Sequence, residues 1–251
     1  MITPIEIKVD LAGEVAETVF RLGCAGRPVI RRRVWFAETR SPGACPELLA
    51  NRIIIRLRSG ARDDLTVKLR PCDAAQLVGR WTEPFDAAGL RYRIEGEWSA
   101  RRRVLAASAV SERPAGSLWA AAAPGADVAA ALDSAQRQFL VSCTPPGVAV
   151  DHLGALGPIA STKWPDVRIG DAVADVERWQ VGDLDLLELS VRVTPRPGEA
   201  REDLDLRAAA AKQRIESAAR RLGLRISQGA NKTEQALVAL LGKRAGSTDS
   251  R

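Results

Sequence analysis

The chain has one histidine in 251 residues, His152. That excludes a multi-histidine metal centre and leaves a Ser-His-Asp triad a poor fit. His152 itself stands in a Gly/Pro-rich stretch and reads as a loop residue. Cysteine is scarce too: Cys24, Cys45, Cys72 and Cys143 are scattered, with no CxxC pair. They read as reduced, mostly buried thiols of a cytosolic protein. No apolar run is long enough to span a bilayer. Met1–Leu11 lacks a basic segment followed by an apolar one, so no signal peptide is expected and the expected location is cytoplasmic. The glycine-rich nucleotide loops GxGxxG and GxxxxGK[ST] are missing, so any phosphate binding must rest on side chains. Internal repeats are missing as well.

What is present is an ordinary globular balance with a basic bias. Apolar residues make up 46% and charged residues 27%, which is a folded composition rather than a disordered one. The net charge is +6, and the cationic excess is largely arginine, the residue suited to bidentate phosphate contacts. An anionic partner fits: a nucleic acid, a polyphosphate or a nucleotide. The densest signal is Arg52–Arg70. Arg52, Arg56, Arg58, Lys68 and Arg70 alternate with Ile53, Ile55, Leu57, Leu65, Val67 and Leu69 around a break at Gly60. Period two means strands, and the short break means a hairpin. Like charges side by side repel, so water and salt or a polyanion must offset them.

The same alternation recurs. Ile5–Leu11 sets Glu6, Lys8 and Asp10 against Ile5, Ile7, Val9 and Leu11. Arg91–Trp98 sets Arg91, Arg93, Glu95 and Glu97 against Tyr92, Ile94 and Trp98. Leu184–Val193 sets Glu188, Ser190 and Arg192 against Leu187, Leu189, Val191 and Val193. Further strands are expected at Val29–Phe36, Leu90–Ala109 and Asp166–Trp179. Helices are expected at Glu14–Leu22, at Asp127–Val141 with Asp127 as cap, at Glu202–Leu222, and at Lys232–Leu241 behind an Asn231/Glu234 capping box. Pro71–Asp86 should be helix or turn with Trp81 and Phe85 as anchors. Pro42–Pro46, Ala106–Pro124 and Pro145–Pro158 read as loops. The tail from Gly242 reads as disordered.

Five stretches, taken in order, resemble the motifs of the CYTH domains, the triphosphate tunnel metalloenzymes. Glu6-Ile7-Lys8 resembles the end of an ExExK signature, and Trp35–Thr39 a YFDT-like step. Arg56-Leu57-Arg58 resembles the LRxR strand, Leu65–Lys68 the LTxK strand and Arg93–Glu97 the RxExE strand. Order and spacing agree over roughly residues 5–100. The resemblance implies an α+β fold: a closed antiparallel β-barrel of about eight strands with a charged tunnel and helices outside. That would be a single domain over 1–242, with 243–251 as the disordered tail. It also implies a bound triphosphate group and Mg2+ or Mn2+. On it, Lys8, Arg52, Arg56, Arg58, Lys68, Arg91 and Arg93 would bind substrate. Glu6, Glu95, Glu97 and Glu188 would hold metal, with Asp175 and Glu177 as further carboxylates, and Glu6, Lys8 and Lys68 would act in catalysis. For each of these residues the alternative is a charged side chain on a solvated face.

The sequence departs from the family where carboxylates are expected. Pro4 precedes Glu6, Leu186 precedes Glu188, and the YFDT aspartate is replaced by Glu38 or lost. Each loss removes a possible metal ligand while the cationic set is complete, so the resemblance is to a divergent or catalytically weak member. Metal-dependent hydrolysis of inorganic triphosphate or a related triphosphate compound is the leading expectation. The alternatives are an adenylyl cyclase of the same family and a non-catalytic module binding polyphosphate or nucleotide. Nucleic-acid binding through Arg31–Arg33 and Arg101–Arg103 ranks last, because the basic residues interleave with acids.

Overall fold

The structure is a computed structural model whose backbone is described for residues 2–40, 46–100 and 102–248. Its strands are β1 (Ile5–Ala12), β2 (Ile30–Thr39), β3 (Ile53–Ser59), β4 (Asp63–Cys72), β5 (Phe85–Ala87), β6 (Leu90–Ser99), β7 (Arg102–Arg113), β8 (Leu153–Ile169), β9 (Ala172–Val181), β10 (Leu184–Val193) and β11 (Arg225–Ile226). The helices are α1 (Val15–Arg21), α2 (Glu47–Ala50), α3 (Ser134–Cys143), α4 (Arg201–Arg221) and α5 (Lys232–Thr248). The strands pair in the order β11-β1-β10-β9-β8-β2-β3-β4-β7-β6-β5, and a further β1–β6 pairing closes the ring. Nine strands form the closed barrel, β5 and β11 add to it, and the helices pack outside. The barrel is mixed rather than wholly antiparallel, because the closing β1–β6 seam is parallel. No helix among the described residues is long and apolar enough to cross a membrane.

Two compact units divide the chain. One comprises the N-terminal segment to Arg31, Glu95–Val104 and Ser161–Gln235. The other comprises Arg32–Ile94, Leu105–Ala160 and the chain from Ala236 onward. In the first, Ile5, Ile7 and Val9 of β1 pack with Val176 of β9, Leu187 and Leu189 of β10, and the α4 stripe Leu204, Ala208, Ile215 and Ala218. The steps of four, seven and three place that stripe on one side of α4. Leu222, expected to continue it, is instead exposed beyond the helix end.

In the second unit the hairpin forms as its alternation requires. Ile53 faces Leu69, Ile55 faces Val67 and Leu57 faces Leu65. These side chains share a core with Phe139 and Leu140 of α3 and with Trp81 and Tyr92. Each fully buried side chain of this size contributes about 1.5–3 kcal/mol. Gln136 fixes α3 to the sheet: buried, it donates through Nε2 to the carbonyls of Leu65 (2.7 Å) and Ala109 (3.2 Å). Tyr92 donates its hydroxyl to the Trp81 carbonyl at 2.7 Å, so its buried hydroxyl keeps a partner.

Several local expectations are corrected. The alanine-rich stretch from Ala106 is strand, not loop: β7 runs to Arg113 because Ala107 and Ala109 lie opposite Leu69 and Val67 of β4. Pairing there overrides alanine's low strand preference. Asp127–Val141 is not one helix. Asp127 caps a short 3-10 turn at Val128–Ala131, Leu132 is extended, and Asp133 opens α3 with a capping box to Gln136. The Pro71–Asp86 region is turn as expected, with two short 3-10 turns, Ala74–Gln76 and Gly79–Thr82, before β5 and Trp81 buried. Helix α5 passes Gly242, which weakens a helix by about 1 kcal/mol but does not forbid one. Most of the Pro42–Pro46 loop and the tail beyond Thr248 lie outside the described residues. Cys24, Cys72 and Cys143 are free, buried thiols as expected, and burial pushes Cys72 up to about 11.

The Pro145–Pro158 loop also ends early, because β8 begins at Leu153. Gly157 is required inside that strand. Its φ is +144°, and a Cβ there would lie 2.8 Å from the Val34 carbonyl oxygen and 2.9 Å from Cδ1 of Trp35. Backbone oxygen cannot yield as a flexible side chain can. Gly157→Ala should therefore destabilise the fold by about 1–3 kcal/mol, read as a lower urea midpoint at unchanged slope. An unchanged midpoint would mean that β2 and β8 do not approach this closely.

Candidate functional site

In the first unit the parallel seam assembles a carboxylate cluster. On β1 the apolar side chains enter the core, leaving Glu6, Lys8 and Asp10 on the other face. On β6, Glu97 lies opposite Glu6 and Ser99 opposite Lys8. Gly96 makes this approach possible. Its N–H donates to the Pro4 carbonyl at 2.8 Å, and a Cβ on it would sit 3.3 Å from Cγ1 of Ile5. Carboxylate oxygens of Glu6, Glu95 and Glu97 consequently fall within 4.8 Å of one another. Lys8 Nζ lies 3.0 Å from Glu6 and 3.2 Å from Glu97. Arg192 donates through Nη1 to Glu95 at 2.8 Å. Lys8 and Arg192 thus bring positive charge to the cluster. Glu95 and Glu97 are buried, where an uncompensated carboxylate is expensive. Three hard oxygen donors in a shared space suit Mg2+ or Mn2+, which bind few carboxylates and complete their shells with water and phosphate.

Glu188 lies outside that three-carboxylate group. It faces Glu177 across the β9–β10 ladder, and Lys232 at the start of α5 answers both. Lys232 Nζ is 2.6 Å from Glu177, 3.2 Å from Glu188 and 4.4 Å from the Trp179 ring centroid. Glu177 also accepts from Ser161 Oγ at 2.7 Å and Trp179 Nε1 at 2.8 Å. Burial alone would raise the Glu177 pKa, but Lys232, Trp179 and Ser161 together hold it well below the usual carboxylate range. For Lys232, burial would favour the neutral form; the two carboxylates overcome it and keep the ammonium charged. Asp175 is drawn elsewhere, to Lys163 Nζ at 2.6 Å and the Asp166 N–H at 3.1 Å.

The second unit holds the hairpin cations. Arg58 pairs with Asp64 directly across the ladder, its Nε 2.9 Å from both carboxylate oxygens, and Thr66 donates to the same carboxylate at 3.2 Å. Arg56 stands opposite Thr66, and Lys68 opposite Ile54. The ladder thus sets no two of these cations directly opposite, which eases the repulsion expected between them. Arg52 precedes β3 in a left-handed turn, φ +65°, more than half exposed and 4.0 Å from Asp73. Arg91 pairs with Glu112. Arg93 pairs with Asp86 at 2.7 Å and donates to the Phe85 and Tyr92 carbonyls, so it braces β5. Glu38 is buried and accepts the Leu48 and Leu49 N–H groups at 3.0 Å, which makes it the cap of α2. Burial raises its pKa against those bonds.

Sequence reading missed three participants. Asp64 was legible as the even-numbered neighbour of Thr66 and Lys68. Arg192 was legible on the Glu188 face, but nothing in the sequence paired it with Glu95. Lys232 had no local signal, since it reaches β9 and β10 from a helix more than forty residues away in sequence. Lys232→Met should destabilise the protein by about 3–5 kcal/mol, because the buried Glu188 and the half-buried Glu177 lose their shared cation. Glu177→Gln combined with Lys232→Met should recover part of that loss in urea unfolding. Equal stability of wild type and Lys232→Met would show that the two carboxylates are solvated.

No protein-family model and no curated protein matches the sequence. Solved structures do. One is a Hippeastrum protein named a candidate adenylyl cyclase and described as having a dominant triphosphatase activity. It matches at TM-score 0.51 and 15% identity, over 93% of this chain and 94% of its own. A candidate adenylate cyclase from Bacillus halodurans matches at TM-score 0.51 and 12% identity, over 93% and 97%. With the strand order and the closing seam described above, these matches show that the chain has the CYTH-type fold.

Proposed function

We propose that this chain binds a triphosphate group and hydrolyses it in the cytoplasm with Mg2+ or Mn2+, acting on inorganic triphosphate or a related triphosphate compound. The observation that carries this reading is the meeting of Glu6, Glu95 and Glu97 with Lys8 and Arg192. The fold's similarity to a structure described as a triphosphatase supports it. A divalent ion held by Glu6, Glu95 and Glu97 would supply Lewis-acid stabilisation of the charge developing on phosphoryl oxygens. The chain's own groups do the rest. Lys8, shared between two carboxylates, can pass a hydrogen bond to a phosphate oxygen. Arg192 offers a planar fork of donors while it orients Glu95. The motif resemblance adds Arg56, Arg58 and Lys68 as further phosphate ligands, each charge-assisted bond contributing about 1.5–3 kcal/mol.

Phosphate release from inorganic triphosphate should require Mg2+ or Mn2+ and stop with EDTA. Glu6→Gln should lower kcat by about a hundredfold or more, as loss of an interaction used in the transition state does. Its metal-free binding of triphosphate should persist or tighten, since a carboxylate beside a polyanion is repulsive. Lys68→Ala should weaken binding and turnover together. Wild-type turnover by Glu6→Gln, or no metal-dependent release by wild type, would defeat the reading.

A further inference from the structure

Asp64 runs against the charge of the face it occupies. Antiparallel pairing puts it directly opposite Arg58, and alternation along β4 gives it the same side as Thr66 and Lys68. It is buried there, where a carboxylate repels a bound polyanion.

Its contacts show what it does to Arg58. Nε of Arg58 lies 2.9 Å from each oxygen of Asp64, and Thr66 Oγ1 donates to Oδ1 at 3.2 Å. Both of these Arg58 bonds run through Nε. Elsewhere in the chain, Arg178 meets Asp185 and Arg207 meets Glu199 through Nε and Nη2 together. Arg58 meets its acid through one nitrogen, which leaves the Nη1–Nη2 end for another partner. That end is the planar pair that matches two oxygens of a phosphate.

The neighbouring strands keep the pairing exclusive. On one flank β2 places Val34 opposite Arg58, which brings no acceptor side chain. On the other, β7 places Glu112 opposite Asp64, and Glu112 is taken by Arg91. The Arg58 side chain is 24% exposed and that of Asp64 10%, so a ligand reaches the cation before the carboxylate.

We infer that Asp64 is a positioning residue for phosphate binding: by holding Arg58 through Nε alone, it aims the Nη1–Nη2 fork at the triphosphate. The gain in aim outweighs the repulsion from a carboxylate that already has its own cation. This rests on the triphosphate reading and deepens it, since the resemblance supplies the arginine and not the acid that orients it.

The test uses the full chain with inorganic triphosphate as the probe, reading Kd by calorimetry without metal and KM and kcat with Mg2+. Thermal melting confirms that each variant folds. Asp64→Ala should raise Kd and KM about tenfold and change kcat less than twofold, as loss of uniform binding does. A merely structural role would lower kcat through loss of folded protein and leave KM alone. Lysine carries a single nitrogen, so in Arg58→Lys the ammonium that pairs with Asp64 is the same one that would meet phosphate. Arg58→Lys should therefore bind about as weakly as Arg58→Ala. Adding Asp64→Ala to Arg58→Lys should then tighten binding, the opposite of its effect beside Arg58.

The proposal is overturned if Asp64→Ala binds triphosphate as tightly as wild type or more so, or if it weakens binding equally beside Arg58 and beside the lysine. Should Asp64→Ala not fold, Arg58→Lys decides alone, and wild-type affinity in that variant overturns the proposal. A wild type that binds triphosphate and loses it in Arg58→Ala, with Asp64→Ala unaffected, removes this inference and leaves the triphosphate reading standing. A wild type that binds no triphosphate removes both.

Discussion

Glu95, Glu97 and Glu188 are carboxylates taken almost wholly out of water, and the organisation of the first unit depends on the cations that meet them. Removing an ion from water costs several kcal/mol, and only a close opposite charge with good geometry offsets it. Lys8, Arg192 and Lys232 supply that charge from three different elements. One consequence is positional: β1, β6, β10 and the start of α5 are held where their charges meet, beyond what the apolar core alone would fix. The other is chemical. Three carboxylate groups gathered within 4.8 Å are the hard oxygen donors that a divalent cation takes.

The two charge clusters of this unit differ in what they are suited to do. Around Glu177 and Glu188 the lysine is itself buried, and Ser161 and Trp179 fill further acceptor positions. That is a closed arrangement that pins α5. Around Glu6, Glu95 and Glu97 the cations are partly exposed, at 17% for the Lys8 side chain and 47% for Arg192. Lys8 and Arg192 are therefore open to solvent where Lys232 is not. Glu188 carries a functional look in the sequence and a structural partner in the fold. Glu38 is the same case, aligned with a motif carboxylate yet used to cap α2.

Strand alternation made most of the sheet legible. The hairpin Ile53–Ser59 with Asp63–Cys72, the strand Leu184–Val193 and the long helix Arg201–Arg221 stand close to where periodicity puts them. The misread segments have a common cause. Ala106–Ala109 and Gly157-Pro158 carry local preferences that long-range pairing overrules, through β4 for the alanines and through the close approach of β2 for Gly157. Helix α2, four residues long, is held by a buried cap that no window of sequence reveals.

The sequence by itself determined which side chains share a strand face, because a period of two follows from the backbone alone. It therefore determined that Glu6 goes with Lys8, Arg56 with Arg58, and Glu95 with Glu97. It also excluded a multi-histidine metal centre and the glycine-rich nucleotide loops. Only the tertiary structure decided which faces meet. The parallel β1–β6 seam joins residues some ninety positions apart, and the register there, set by Gly96 against Ile5 and Pro4, brings Glu6 to Glu97. The choice of Arg192 for Glu95 and of Lys232 for Glu188 follows from closure of the sheet and docking of α5. Charge pairing is short-ranged in space and indifferent to separation along the chain, so local sequence carries no trace of it.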